Sequence, residues 1–223
     1  MKLSFKDNTY RECISIAKKN KKMLSEIKTI DLLDRAELQT CGNNKNFDNF
    51  QIFTPKFIVD GMIKAIGEGY VSDFNHTILE PTSGDGAFTC NIFELRLKNN
   101  ISDDTKDIFT TLLRCLATIY SIEMDKDLII KQRNNIYTIA KKFLSNKNIL
   151  LNQDEDDFLK ILISLNFIWG ETNIKTEIKP LLCEVAYKMP NKGKNADISI
   201  DFPVWNFDNG KVSLHFEEPE IGC

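Results

Sequence analysis

Glu80-Pro81-Thr82-Ser83-Gly84-Asp85-Gly86-Ala87-Phe88 follows directly on the short run His76-Thr77-Ile78-Leu79, and these residues decide the fold. A short apolar strand that ends in a carboxylate and breaks at once into proline and two closely spaced glycines is how an open parallel sheet begins a ligand crevice. Glycine frees the backbone from conformations that a Cβ would strain and lets a ligand approach closely. Beyond Gly86 the pattern predicts a helix over Ala87 to Leu97, whose first-turn N–H groups would face the same crevice.

Two common ligands are excluded. A phosphate-cradling loop needs Lys and Ser or Thr after its last glycine, and here Ala87 and Phe88 follow. The dinucleotide fingerprint needs a third glycine, which Ala87-Phe88-Thr89-Cys90 does not supply. Glu80 and Asp85 flank the turn; two acids repel a pyrophosphate and suit a cationic ligand with hydroxyls and an amino group. S-adenosylmethionine has these groups.

Further along, Leu116 to Ile122 is a mostly apolar run, as expected of a strand buried on both faces of a parallel sheet. Glu123 would end that strand at the carboxyl edge, where its two oxygens can accept a pair of ribose hydroxyls. Such an acid usually lies roughly 20 residues after the glycine turn. Here the charged, helical stretch Lys98 to Arg114 intervenes and is expected to form an extra surface helix.

The glycine turn resembles the first motif of the DNA adenine methyltransferases of restriction-modification systems: an acid, Pro, two variable residues, Gly, Ser or Asp, Gly, Ala, Phe. Three further segments follow the order of that family. Phe50-Gln51-Ile52-Phe53-Thr54-Pro55, with a helix over Lys56 to Ile66, is similar to the aromatic-Thr-Pro segment that lies against the methionine part of the cofactor. Ile119-Tyr120-Ser121-Ile122-Glu123-Met124-Asp125 is similar to the second strand with its ribose acid, and Phe167-Ile168-Trp169-Gly170-Glu171-Thr172 to the motif that meets the adenine amino group. The resemblance spans about Asn49 to Thr172. It implies a class I methyltransferase (Rossmann-like) doubly wound, mainly parallel α/β sheet with S-adenosyl-L-methionine as cofactor. The implied cofactor residues are Phe53, Thr54, Pro55, Glu80, Pro81, Thr82, Gly84, Asp85, Gly86, Phe88, Glu123, Met124 and Glu171. It further implies DNA as partner, with a separate specificity or recognition protein, since few residues remain for a recognition domain.

The same family carries Asn or Asp followed by Pro-Pro and an aromatic residue, which positions the target amine and stacks on the flipped base. No such tetrapeptide occurs here. The nearest segment, Asp197-Ile198-Ser199-Ile200-Asp201-Phe202-Pro203-Val204-Trp205, matches at Pro203 and Trp205, but Phe202 replaces the amide acceptor and cannot accept that bond. Asp201 or Asn206 would substitute only by a shifted register. The segment also reads as a C-terminal β-hairpin, Pro203–Phe207 and Lys211–Phe216 closed by Asp208-Asn209-Gly210, with Trp205 packed on the sheet. Two functions stay open: a DNA adenine methyltransferase with Trp205 as base platform, or a methylase-like subunit or regulator that binds cofactor or partner without catalysis. RNA or protein remains an alternative substrate.

At 223 residues and 42% hydrophobic, the chain can bury one core. The expected organisation is a helical extension over 1–48 and an α/β domain over 49–223. Asn8–Lys28 reads as an amphipathic helix, Asp31–Leu38 as a second, and Thr40–Asn49 as a polar linker. After the second strand come a helix over Asp125–Phe143, a short helix over Glu155–Leu165, then strand and helix, an alternation that argues for a parallel sheet. No membrane-spanning apolar run and no signal-peptide core are present, so a cytoplasmic location is expected. Cysteines at 13, 41, 90, 115, 183 and 223 include no C-x-x-C pair, and with only His76 and His215 no metal site is expected. Cys90 and Cys115 read as small core residues. Lys18-Lys19-Asn20-Lys21-Lys22 and the loop Lys188–Lys194 could meet phosphates, yet the net charge is −3, so DNA binding follows from the resemblance and not from charge.

Overall fold

The computed structural model describes residues 54–169, 202–208 and 212–215, together with the backbone of 171–176, 183–188, 211 and 216–217. The helices expected over Asn8–Lys28 and Asp31–Leu38, the residue Phe53 and the segment Asp197–Asp201 lie outside the described residues.

Helix α1 covers Lys56–Ile66, the span the sequence predicts. Pro55 is the N-cap, and its carbonyl accepts from the Ile58 and Val59 amides. Val59 and Ile63, one turn apart, face the core, while Phe57, Ile58, Met62 and Ile66 stay exposed. Gly67, at φ 107°, breaks the chain before a short second helix, α2, Glu68–Ser72. Strand β1, Ile78–Glu80, then enters the glycine turn, and α3 runs over Ala87–Asn100.

The long crossover to the second strand corrects the sequence reading twice. Helix α4, Ile108–Ala117, is capped by Asp107, whose side chain accepts from the Thr110 amide. It is no surface helix: Leu112, Leu113, Cys115 and Leu116 are all fully buried. Leu116 and Ala117 belong to its last turn, so strand β2 covers only Ile119–Glu123. A continuous apolar run cannot by itself distinguish a buried helix end from a buried strand. Helix α5, Lys126–Asn146, is capped by Asp125, and α6, Gln153–Asn166, by a reciprocal Asn152–Glu155 capping box. The latter runs without a loop into β3, Phe167–Trp169.

The strands form a parallel sheet in the order β1-β2-β3, with Glu80 opposite Ser121, Ser121 opposite Phe167 and Glu123 opposite Trp169. Ile119 and Ile122 of the central strand are fully buried, as its position between two neighbours requires. This is an α/β arrangement, and among the described residues the strand order does not reverse. Among the described residues after β3 the chain forms antiparallel pairs and not the expected helix. Strand β4, Glu171–Thr176, pairs with β5, Cys183–Lys188, and β6, Phe202–Asp208, with β7, Lys211–Glu217. The second pair is the predicted hairpin, with Asp208 opposite Lys211 and Asn209-Gly210 between them.

The sheet is tied down at its amino end by three buried polar side chains. The Arg96 guanidinium donates to the carbonyls of Val71, His76 and Cys115 and to Thr118 Oγ1. Arg133 donates to the carbonyls of Phe167 and Ser164. Asn166 Nδ2 reaches the carbonyls of Leu116, Ala117 and Ile119, while its Oδ1 accepts from Trp205 Nε1 at 2.8 Å. These donors satisfy carbonyls at the helix ends that precede the strands and at the first residues of β2 and β3. No helix among the described residues is long and apolar enough to cross a membrane.

Candidate functional site

The carboxyl ends of β1 and β2 carry Glu80 and Glu123, and the glycine turn joins them. From Ser83 the backbone N–H donates to the Ile122 carbonyl at 3.1 Å, drawing the loop over β2. Gly84 N–H donates to Glu123 Oε2 at 2.7 Å, and Asp125 N–H to Glu123 Oε1 at 2.8 Å. Each carboxylate oxygen keeps a further lone pair, so Glu123 can still accept from a ligand's hydroxyls. The turn closes with Gly86 N–H on the Ser83 carbonyl at 3.0 Å.

Gly84 and Gly86 are required for different reasons. Both take left-handed backbone, at φ 58° and 84°. A Cβ on Gly84 would meet nothing within 4 Å, so open space lies on that side of the loop. A Cβ on Gly86 would fall 2.4 Å from Gln132 Cγ, so the close approach there is to the protein's own side chain.

Burial pushes the Glu80 carboxyl up to about 8, reinforced by the negative charges of Asp85 and Glu123; a hydrogen bond from the Thr89 amide opposes the shift. At neutral pH Glu80 is therefore mostly protonated. Asp85 is engaged by Lys131 Nζ at 2.8 Å. The crevice is thus less anionic than its three carboxylates imply, and a cation placed beside Glu80 would draw its proton off.

The other expected cofactor residues fall into groups. Thr54-Pro55 is brought beside the first turn of α3, because Lys56 Nζ donates to Asn91 Oδ1 at 2.6 Å and Asn91 to the Ala87 carbonyl. Pro81 and Thr82 lead the loop out of β1, the second of them exposed. Phe88 turns toward the core and packs against it. Met124 is 58% exposed at the end of β2. Glu171 opens β4, in register with Lys188. Phe53 lies outside the described residues.

No protein-family model, characterised protein or solved structure matches the chain. The site is therefore read from its own geometry.

Pro203 and Trp205 are not brought to the crevice. The Trp205 indole is 7% exposed, donates to Asn166 at the amino end of the sheet and packs edge-on against Phe158. The Pro203 carbonyl accepts from Tyr120 Oη at 2.6 Å, near the start of β2. The amino and carboxyl ends of β2 are separated by roughly 13 Å at strand rise. Of the two readings of this segment, the structure shows the packed hairpin, with Trp205 seated at the amino end of the sheet away from the crevice.

Two residues at the site escape the sequence reading, and a third, Trp169, falls in the Phe167–Thr172 segment without being named as a cofactor residue. Lys131 neutralises Asp85 from α5. Trp169 ends β3 beside Glu123, donates its indole N–H to the Met124 carbonyl at 3.0 Å and has Lys126 Nζ 5.7 Å from its ring. Gln132, fully buried, lies directly behind the turn. Nothing in the sequence marks Gln132, since a glutamine in a long polar helix reads as solvent-facing.

Cys90 and Cys115 are poor nucleophiles here, because burial pushes both thiols up to about 12. Among the described residues no group of three or more His, Cys, Asp or Glu side chains could hold a metal ion. A cleft of about 550 Å³ lies elsewhere, between the C-terminal halves of α3 and α5, lined by Leu97, Ile101 and Phe143 with Lys98 and Lys142. It touches none of the loop residues.

Proposed function

We propose that the chain is an S-adenosylmethionine-binding domain of the class I methyltransferase type, acting on DNA adenine as the motif order of its sequence implies. The observation that carries the reading is the 2.7 Å bond from Gly84 N–H to Glu123. It brings the glycine turn and the acid of the second strand, 39 positions apart in the chain, to one sheet edge with open space beside Gly84. The residues fit this cofactor. Glu123 has lone pairs left for two ribose hydroxyls, exposed Met124 and Trp169 offer apolar surface for a purine, and Glu80 with Asp85 suits the sulfonium and amino groups. When bound, the cofactor supplies an electrophilic methyl group; the chain's own residues bind and orient it.

A second reading has one specific support. Trp205, the aromatic candidate for stacking a flipped base, is committed to Asn166 and Phe158. In that reading the chain keeps the cofactor crevice and serves as a non-catalytic subunit or regulator of a restriction-modification system. The first reading predicts saturable binding of S-adenosylmethionine in calorimetry, lost in Glu123→Ala, together with methyl transfer to DNA by purified protein. Binding without turnover selects the second reading. Absence of binding by folded wild type would reject the first and leave the second as a protein that binds a partner and not the cofactor.

A further inference from the structure

We propose that Gln132 is the positioning residue of the glycine crevice, holding Ser83 to Gly86 in the shape a ligand meets. The identity of that ligand rests on the cofactor reading above; the positioning role rests on the geometry of this chain.

The Gln132 side chain reaches three elements at once. Its Oε1 accepts from Ser83 Oγ in the loop at 2.8 Å and from Ser121 Oγ on β2 at 3.1 Å. Its Nε2 donates to Thr89 Oγ1 in the first turn of α3 at 2.6 Å, and the Thr89 hydroxyl donates onward to the Gly86 carbonyl at 3.1 Å. The direction of this relay is fixed. The Gly86 carbonyl can only accept, so the Thr89 proton is committed to it; Thr89 Oγ1 must then accept from the amide NH2, which turns Oε1 toward the two serine hydroxyls. Meanwhile Gln132 Cγ fills the space that a Cβ at position 86 would need. Gln132 thus supports the turn from behind while Glu123 holds Gly84 from the crevice side.

Simple core filling does not account for these contacts. An apolar side chain of similar length would occupy the same volume, yet would leave Thr89 without its donor and Ser83 with only the longer 3.4 Å bond to the Ile122 carbonyl. Buried polar networks of this kind fix one geometry when every member is satisfied. The Gly86 carbonyl is oriented by the relay, and Gly86 carries both the turn bond to Ser83 and the first helical bond from Cys90.

The test uses the full chain as wild type, Gln132→Met, Thr89→Val and Ser121→Ala. Calorimetry with S-adenosylmethionine and its demethylated product gives affinity. Hydrogen exchange over Ser83–Cys90, referenced to the buried strand β3, gives loop order. Gln132→Met and Thr89→Val should weaken binding about tenfold and speed loop exchange by a similar factor, as expected for about one buried hydrogen bond. Ser121→Ala, which removes only the strand-side contact, should change affinity by less than about threefold, because Ser83 still fills Oε1. If Gln132→Met fails to fold, Thr89→Val carries the test. Folded variants with wild-type affinity and wild-type loop exchange would overturn the proposal. If wild type binds neither compound, the cofactor reading fails, and loop exchange alone decides whether Gln132 positions the turn.

Discussion

At the amino ends of β2 and β3, the amide of Asn166 and the guanidiniums of Arg96 and Arg133 close off main-chain carbonyls. At the carboxyl ends of β1 and β2, carboxylates gather instead around main-chain N–H groups. The first arrangement is internal: its donors are buried, most of their acceptors are backbone carbonyls, and Trp205 seals the set from the hairpin side. The second is half finished, with open space beside Gly84, exposed Met124 and a carboxyl at Glu80 held mostly neutral by its surroundings. One end of the sheet has its donors committed to the fold, and the other leaves carboxylate lone pairs and open space beside Gly84. Buried polar side chains mark both ends, so burial alone does not distinguish structural from ligand-facing roles. The direction in which remaining donors and acceptors point does.

Substitutions can separate the two ends. The largest effect is expected at Gly86→Ala, where left-handed strain adds to a clash with Gln132, for a loss of about 4 kcal/mol in urea unfolding. Gln132→Ala in the same chain should relieve the clash but not the strain, giving a clear non-additive cycle. At the opposite end, Asn166→Ala leaves three carbonyls and the Trp205 indole without their partner and should cost about 3 kcal/mol. Calorimetry should nevertheless find its cofactor affinity within about twofold of wild type. Comparable loss of affinity in Asn166→Ala and in a crevice variant would erase the distinction between the ends.

The next effect is read as a function of pH. Because the Glu80 carboxyl is raised from its usual 4.5 to about 8 in the folded chain, the native state binds the extra proton between those values. Stability that is complete below pH 4.5 is then lost as pH rises through 8. Thermal melts should therefore show wild type falling more steeply from pH 6 to 9 than Glu80→Gln, which stays neutral and can still accept from the Thr89 amide. Equal slopes would place Glu80 in ordinary solvent. Smallest in stability is Gly84→Ala, about 1 kcal/mol from its left-handed φ alone, since no neighbour obstructs the Cβ. Its effect should appear in ligand affinity instead, the reverse of Asn166→Ala.

The glycine turn was legible because each of its residues has a local reason: the acid ends a strand, proline breaks it and the glycines take left-handed backbone. The helix over Lys56–Ile66 is legible through the proline at its start. Leu116 and Ala117 read as strand because an apolar run carries no period to separate helix from sheet. The antiparallel pair after β3 is not legible because a short run of mixed polarity fits either element. Gln132 and Lys131 were invisible because their roles depend on which face of a long helix meets the loop, and that is decided by tertiary packing. Trp205 shows the converse: its hairpin was readable from Asn209-Gly210, but its partner Asn166, 39 positions away, was not.

The chain contains two tryptophans, and the fold has put one at each end of the sheet. Trp169 is partly exposed beside Glu123, while Trp205 is buried against Phe158. They form a built-in pair of optical reporters. Emission from Trp169 should respond to occupancy of the crevice and to collisional quenchers, and that from Trp205 should stay blue-shifted until the hairpin detaches. With each replaced in turn by phenylalanine, a single fluorescence titration can follow ligand arrival and global unfolding as separate signals, with no label attached.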